Sequence, residues 1–160
     1  MGSGKTTIGR LLSKKLDKDF YDSDYVVEEK TGVKVPLIFE YEGEVGFRKR
    51  EENVLKELVN LKNIVLATGG GVILSRNNRK LLKNNGYVIY LKSDCVDLVA
   101  RMENDKSRPL LQKGDIKETL DNLFKFRDPL YVDISDQIIE TKNKRASDIT
   151  SEIESLLNKL

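Results

Sequence analysis

The chain opens Met1-Gly2-Ser3-Gly4-Lys5-Thr6-Thr7, and no other stretch limits its possible folds so sharply. Gly-Lys-Thr is the second half of G-x-x-x-x-G-K-[ST], a loop whose backbone N–H groups wrap a phosphate while the following helix adds its N-terminal partial charge. At that place Lys5 reaches the β- and γ-phosphates of a nucleotide, and the Thr6 hydroxyl ligates Mg²⁺. A chance Gly-Lys-Thr would need no patterned helix behind it. Here Ile8, Leu11, Leu12 and Leu16 recur at helical spacing, predicting a helix from Lys5 to about Leu16.

Loops of this kind follow a buried strand, and the first glycine of the full motif would fall two residues before Met1. Met1 is therefore expected to be an internal methionine of a longer natural chain, with the loop's own strand missing here. An open parallel sheet without its middle strand has unpaired edges on both sides of the gap.

The rest of the chain alternates short β-type runs with helical patterns. Asp19–Asp22, residues 63–68, 86–91 and 137–141 read as strands, and the middle two are the continuous apolar runs of buried parallel strands. Val54, Leu55, Leu58 and Leu61 mark a helix opened by the charged run Arg48–Glu52, and Ile149, Ile153, Leu156, Leu157 and Leu160 form the stripe of a last one. A further helix carries Ile116, Leu120, Leu123 and Phe124, with Arg127-Asp128-Pro129-Leu130-Tyr131 expected to come after it. The alternation predicts an α/β fold, a parallel sheet with helices on both faces, in one domain over residues 1–160. The polar stretch from Met102 to Gly114 has neither period and is either a plain loop or a lid, placed at about 103–114.

Composition narrows the chemistry. With 28 basic and 26 acidic residues the net charge is +2, which gives no reason to expect a nucleic-acid or membrane partner. No run approaches the roughly 20 apolar residues of a membrane span. Cys95 is the single cysteine, so no internal disulfide forms, and a reducing, cytoplasmic setting is expected. Histidine is absent, so acid–base work falls to Asp, Glu, Lys or water, and a His-ligated zinc site is excluded.

Asp22-Ser23-Asp24 ends the Asp19–Asp22 strand, at the sheet edge where α/β proteins bind ligands. One carboxylate can join a Mg²⁺ shell while the other meets a hydroxyl substrate, although an acidic turn would read the same. Gly43-Glu44-Val45-Gly46-Phe47-Arg48 precedes the second long helix, with Arg48 at its entrance. A cation there is mildly unfavourable, which favours a use for the planar fork of Arg48 on a carboxylate. Gly69-Gly70-Gly71 closes a buried strand and permits close approach of a ligand. Arg108-Pro109-Leu110-Leu111 lies in the candidate lid.

In this order and spacing GSGKTT, DSD, GEVGFR with Glu51 three residues on, TGGG, RPLL and RDPLY resemble shikimate kinase, from Met1 to about Arg145. The resemblance implies a P-loop three-layer α/β/α fold with sheet order 2-3-1-4-5, the absent strand being the first. It implies an ATP-dependent transfer to the 3-hydroxyl of shikimate, on the route to chorismate and the aromatic amino acids. Gly2, Ser3, Gly4, Lys5, Thr6 and Thr7 then form the ATP loop, with Lys5, Asp24 and Arg108 catalytic. Thr6 and Asp22 serve Mg²⁺; Asp24, Arg48, Gly70 and Arg127 hold shikimate; Arg108 is the lid arginine on the ATP phosphates. Near the adenine, where the family often has an arginine, this chain has Lys144 with Arg145 beside it. A monomer is expected. Two rivals stand beside this reading. One is another small-molecule P-loop kinase of gluconate or nucleoside monophosphate type; the other is a truncated, inactive nucleotide-binding relative.

Overall fold

The computed structural model describes residues 3–93 and 116–159; Gly2, Arg108 and the candidate lid at 103–114 lie outside them. Helix α1 (Lys5–Leu16) begins at Gly4, whose φ of 79° and ψ of 16° are left-handed, a conformation glycine adopts without Cβ strain. β1 (Asp19–Asp22) passes straight into α2 (Ser23–Thr31), which Asp22 caps by accepting the Asp24 N–H at 3.1 Å. α3 (Val35–Leu58) leads to β2 (Ile64–Ala67) and a single 3₁₀ turn (Val72–Leu74). α4 (Arg76–Asn85), β3 (Ile89–Lys92), α5 (Ile116–Ile134), β4 (Gln137–Glu140) and α6 (Ala146–Leu157) complete the described order.

The strands form two parallel pairs. β1 lies against β2 with Asp22 opposite Ala67, and β3 against β4 with Lys92 opposite Glu140. Alternate strand residues point to opposite faces. Val65, Ile89, Leu91 and Ile139 meet Ile8 and Leu12 of α1 and Ile149 and Ile153 of α6 on one face. On the other, Leu66 and Val88 join Leu55 of α3 and Leu130, Tyr131 and Ile134 of α5, and Tyr21 joins Val27, Phe47, Val54 and Leu58. This is the expected α/β/α arrangement.

Among the described residues no hydrogen-bonded pairing joins β2 to β3. Between them lies a cavity of about 520 Å³, lined by both strands and by apolar side chains from the helices on either face. The order 2-3-1-4-5 has two neighbouring pairs, 2-3 and 4-5, and β1–β2 and β3–β4 match them.

Three sequence expectations need correction. The helix expected to open at Arg48 begins at Val35, and Gly43 interrupts it with φ 69° and ψ −176°, so Arg48 lies inside a helix, five residues past a break. α2 has no counterpart in the sequence reading: Tyr25, Val26 and Val27 are consecutive and form no helical stripe, and the helix depends on its Asp22 cap and on Gly32 at its end. Arg127-Asp128-Pro129-Leu130-Tyr131 does not come after a helix but continues one, α5, to Ile134 with Pro129 inside. Packing of Leu130, Tyr131 and Ile134 outweighs the backbone hydrogen bond that Pro129 cannot donate. No helix of the described residues is long and apolar enough to cross a membrane.

The open slot makes a stability prediction. Fusing about five apolar β-branched residues ahead of the glycine loop should bury several side chains at ~1.5–3 kcal/mol each against ~1–2 kcal/mol per residue of backbone ordering. A net gain of ~2 kcal/mol corresponds to about 4–8 °C in Tm for a chain of this size, read by calorimetry beside a Ser/Gly extension of equal length. Equal Tm for the two extensions would show that the slot takes no strand.

Candidate active site

The C-terminal ends of β1 and β2 open at one level because Asp22 pairs with Ala67. The segments leaving the two strands therefore meet. The buried Ser23 hydroxyl accepts the Gly69 N–H at 3.0 Å, tying the start of α2 to the glycine loop. On the other side of β1, α1 brings Thr6 to Asp22, and the Thr6 hydroxyl donates to Asp22 Oδ2 at 2.7 Å. The two residues expected to serve a metal are thus in direct contact. A hydroxyl and a carboxylate are the hard oxygen donors that suit Mg²⁺.

A cavity of about 430 Å³ opens at this edge. Thr6, Asp22, Asp24, Arg48, Gly70 and Arg127, six residues singled out from widely separated motifs, all line it. The glycine loop runs close against two carboxylates: a Cβ on Gly69 would stand 2.6 Å from Asp24 Oδ1 and 2.8 Å from Glu51 Oε1, and one on Gly71 would collide with the Arg48 guanidinium. Close approach, rather than a loose turn, accounts for these glycines.

Two arginines supply the positive charge. Arg48 donates from Nη1 to Glu51 at 2.8 Å and from Nη2 to Glu44 at 3.0 Å, so its fork is held between two carboxylates on its own helix. Burial pulls its pKa down, but Glu51 and Glu44 outweigh that and leave it above its ordinary value. Arg127 is only 6 % exposed, and its Nη1 donates to the Gly70 carbonyl at 3.3 Å. Burial pulls its guanidinium below the ordinary value, with the like charge of Arg48 adding to this. Its Nε has no hydrogen-bond partner among the described residues, nor has Oε1 of Glu51. Buried charged groups with an open valence are costly unless a ligand completes them.

In the sequence Glu51 stands only as a member of a motif. The structure shows its work: 1 % exposed, it lies under Gly69 and holds Arg48. Burial raises its pKa despite Arg48, and the charge of Asp24 contributes. Its i, i+3 spacing from Arg48 was the readable signal; its burial was not.

The phosphate loop borders the site. Gly4 caps α1, Ser3 is buried and accepts from Lys5 Nζ at 3.3 Å, and Thr7 is exposed on the first turn of α1. Lys144 stands apart from both cavities, paired with Glu152 at 2.6 Å, and Arg145 pairs with Asp148.

A phosphate loop on a parallel α/β fold, a hydroxyl–carboxylate pair beside it and a cavity lined by two arginines define a P-loop phosphotransferase acting on a small anionic acceptor. The family model described as shikimate kinase matches residues 1–158. The shikimate kinase of Nitrosospira multiformis is 54% identical over 141 residues, 88% of this chain and 72% of that protein. That of Thiobacillus denitrificans is 51% identical over 150 residues, 94% of this chain and 82% of its own. Among solved structures, shikimate kinase from Acinetobacter baumannii in complex with shikimate superposes with a TM-score of 0.97 at 47% identity, covering 99% of this chain and 89% of that one. The chain belongs to the shikimate kinase family.

The position of Glu51 sets two expectations. A raised folded-state pKa means the folded protein binds this proton more tightly than the unfolded chain, so stability falls as pH rises from the ordinary carboxylate value through the raised one. Glu51→Gln removes that dependence, and in urea melts from pH 4 to 7 the variant should gain on the parent as pH rises. Loss of a charge-assisted bond worth ~1.5–3 kcal/mol leaves Arg48 loosely held, and the shikimate KM should rise about tenfold or more. A parallel pH dependence in both proteins would show that Glu51 titrates normally.

Proposed function

We propose that this chain transfers the γ-phosphoryl group of ATP to the 3-hydroxyl of shikimate, giving shikimate 3-phosphate and ADP, within one domain spanning residues 1–160. The observation that carries this reading is the gathering of Thr6, Asp22, Asp24, Arg48, Gly70 and Arg127 around one cavity. Shikimate is a small carboxylate with three hydroxyls. Arg48 and Arg127 suit the carboxylate, since a guanidinium presents paired donors in a rigid plane. Gly70 offers close backbone approach, and Asp24 orients a hydroxyl.

In the reaction the 3-hydroxyl oxygen bonds to the γ-phosphorus as the bond to the β-phosphate oxygen breaks. ADP keeps that electron pair, and Asp24 accepts the hydroxyl proton. Gly2, Ser3, Gly4, Lys5, Thr6 and Thr7 cradle the nucleotide phosphates through backbone N–H groups, the Lys5 ammonium and the start of α1. Thr6 and Asp22 would hold Mg²⁺, which when bound neutralises phosphate charge. Catalysis of this kind depends on positioning and charge neutralisation more than on base strength. Arg108, assigned to the ATP phosphates by resemblance, lies outside the described residues, and Lys144 is assigned to the adenine on the same ground. The chain is taken to act as a monomer, and the single cysteine supports a cytoplasmic setting.

A coupled assay of ADP release from this chain, with shikimate and with gluconate as acceptors, tests the reading. ATP binding without turnover would instead identify an inactive nucleotide-binding relative. Arg48→Lys and Arg127→Lys keep the charge and lose the fork, so each should weaken shikimate binding about tenfold or more while ATP affinity changes less than about twofold. Equal loss of both affinities in folded protein would remove the carboxylate role.

A further inference from the structure

Among the described residues the Gly70 carbonyl receives two donors, and only one comes from a residue assigned to the substrate. Arg127 Nη1 donates at 3.3 Å, and the Tyr131 hydroxyl donates to the same oxygen in a short bond. Arg127 and Tyr131 stand four residues apart on α5, on one face of the helix. Gly70 sits in a run of three glycines, where the backbone has the widest choice of conformations; Val72 and Leu74 donate to the carbonyls of Gly69 and Gly71, while the Gly70 carbonyl is held from α5.

Tyr131 is itself firmly placed. Its ring stacks on Tyr90 of β3 with centroids 4.8 Å apart and planes 22° apart. Tyr90 donates to Asp128 Oδ1 at 2.9 Å, and Lys92 Nζ donates to Asp128 Oδ2 at 3.2 Å. Asp128 is the neighbour of Arg127, so β3 anchors the same turn of α5 that faces the glycine loop. A phenol with two torsions, stacked on a second ring, loses little further freedom in making its bond.

We propose that Tyr131 is a positioning residue for substrate: its hydroxyl pins the Gly70 carbonyl, which fixes the Gly70 peptide and leaves Arg127 free to turn its remaining donors into the cavity. The proposal rests on the reading of Gly70 and Arg127 as substrate-holding groups. Without the phenol, Arg127 becomes the only donor to that carbonyl among the described residues, and its guanidinium is drawn toward the loop in competition with the acceptor's carboxylate. Tyr131 touches no reacting atom in this account, and the step itself remains with the groups described above.

Tyr131→Phe keeps the ring and its stacking on Tyr90 and removes only the hydroxyl, so the fold should survive, as checked by Tm. Two readouts on the full chain decide the matter. The Gly70 carbonyl ¹³C resonance should move upfield on loss of the donor. The shikimate KM should rise about five- to tenfold, the range expected for a lost neutral hydrogen bond in a closed site, while the ATP KM stays put and kcat falls by less than about threefold. Tyr90→Phe, which removes the bond to Asp128 and leaves the Tyr131 hydroxyl in place, should give a smaller change in both. An unmoved Gly70 resonance would overturn the pin whatever the activity. A moved resonance with unchanged shikimate KM, or with equal rises in both KM values, would overturn its role in substrate positioning. If the parent chain turns over no shikimate, the functional reading fails, and the carbonyl resonance still judges the pin.

Discussion

The site depends on the register of one short parallel ladder. Asp22 opposite Ala67 brings the ends of β1 and β2 to one level, and neighbouring strands lie only about 4.8 Å apart. That spacing lets the Ser23 hydroxyl reach the Gly69 N–H and puts Asp24 and Glu51 where a Cβ on Gly69 would stand. A shift of one residue would turn every side chain of the strand to the opposite face. Phe20 would exchange places with Tyr21, and the tight fit of Gly9 against the Phe20 ring, where a Cβ would stand 2.6 Å away, would be lost. The ladder's side-chain packing and the chemistry at its end are therefore one constraint.

Charge at the site is arranged against stability. Glu51 and Arg127 are almost wholly buried, and each keeps a polar atom without a partner among the described residues. Removing such groups from water costs several kcal/mol per ion unless hydrogen bonds and opposite charge offset it. Arg48 offsets part of the cost for Glu51, and the Gly70 carbonyl takes one donor of Arg127. The rest of that cost is offset by no partner among the described residues. A fold selected for stability alone would fill these positions with apolar side chains.

The cavity between β2 and β3 has a different character. Its walls are largely apolar and come from both helical layers, so the two strand pairs stay in place through α1 and α6 on one face and α3 and α5 on the other, without a shared ladder. Cavities of this kind cost stability in proportion to their volume. The catalytic edge is less affected, because β1 and β2 build it with α1, α2 and α3, while α5 supplies Arg127 and Tyr131 from across the gap.

Much of this was legible in residue order. The helix behind Gly4 and the last helix arise from a period of 3.6, and the strands from short β-type runs, which are local properties of a chain. Arg48, Asp24 and Arg127 could be named because their motifs place charged or glycine residues where a plain fold would not need them. Three features could not be read. α2 arises from the Asp22 cap and from packing of Val27 rather than from a stripe, α5 runs through Pro129 because its inner face is packed, and Glu51 is buried by contacts with a loop eighteen residues away. Residue pattern decides which segments become helix or strand, since that is settled within a few neighbours along the chain. Which carboxylate lies under which glycine, and which hydroxyl reaches the Gly70 carbonyl, was decided only when strands 40 or more residues apart came to lie side by side, because burial and hydrogen-bond partners are properties of the assembled layers.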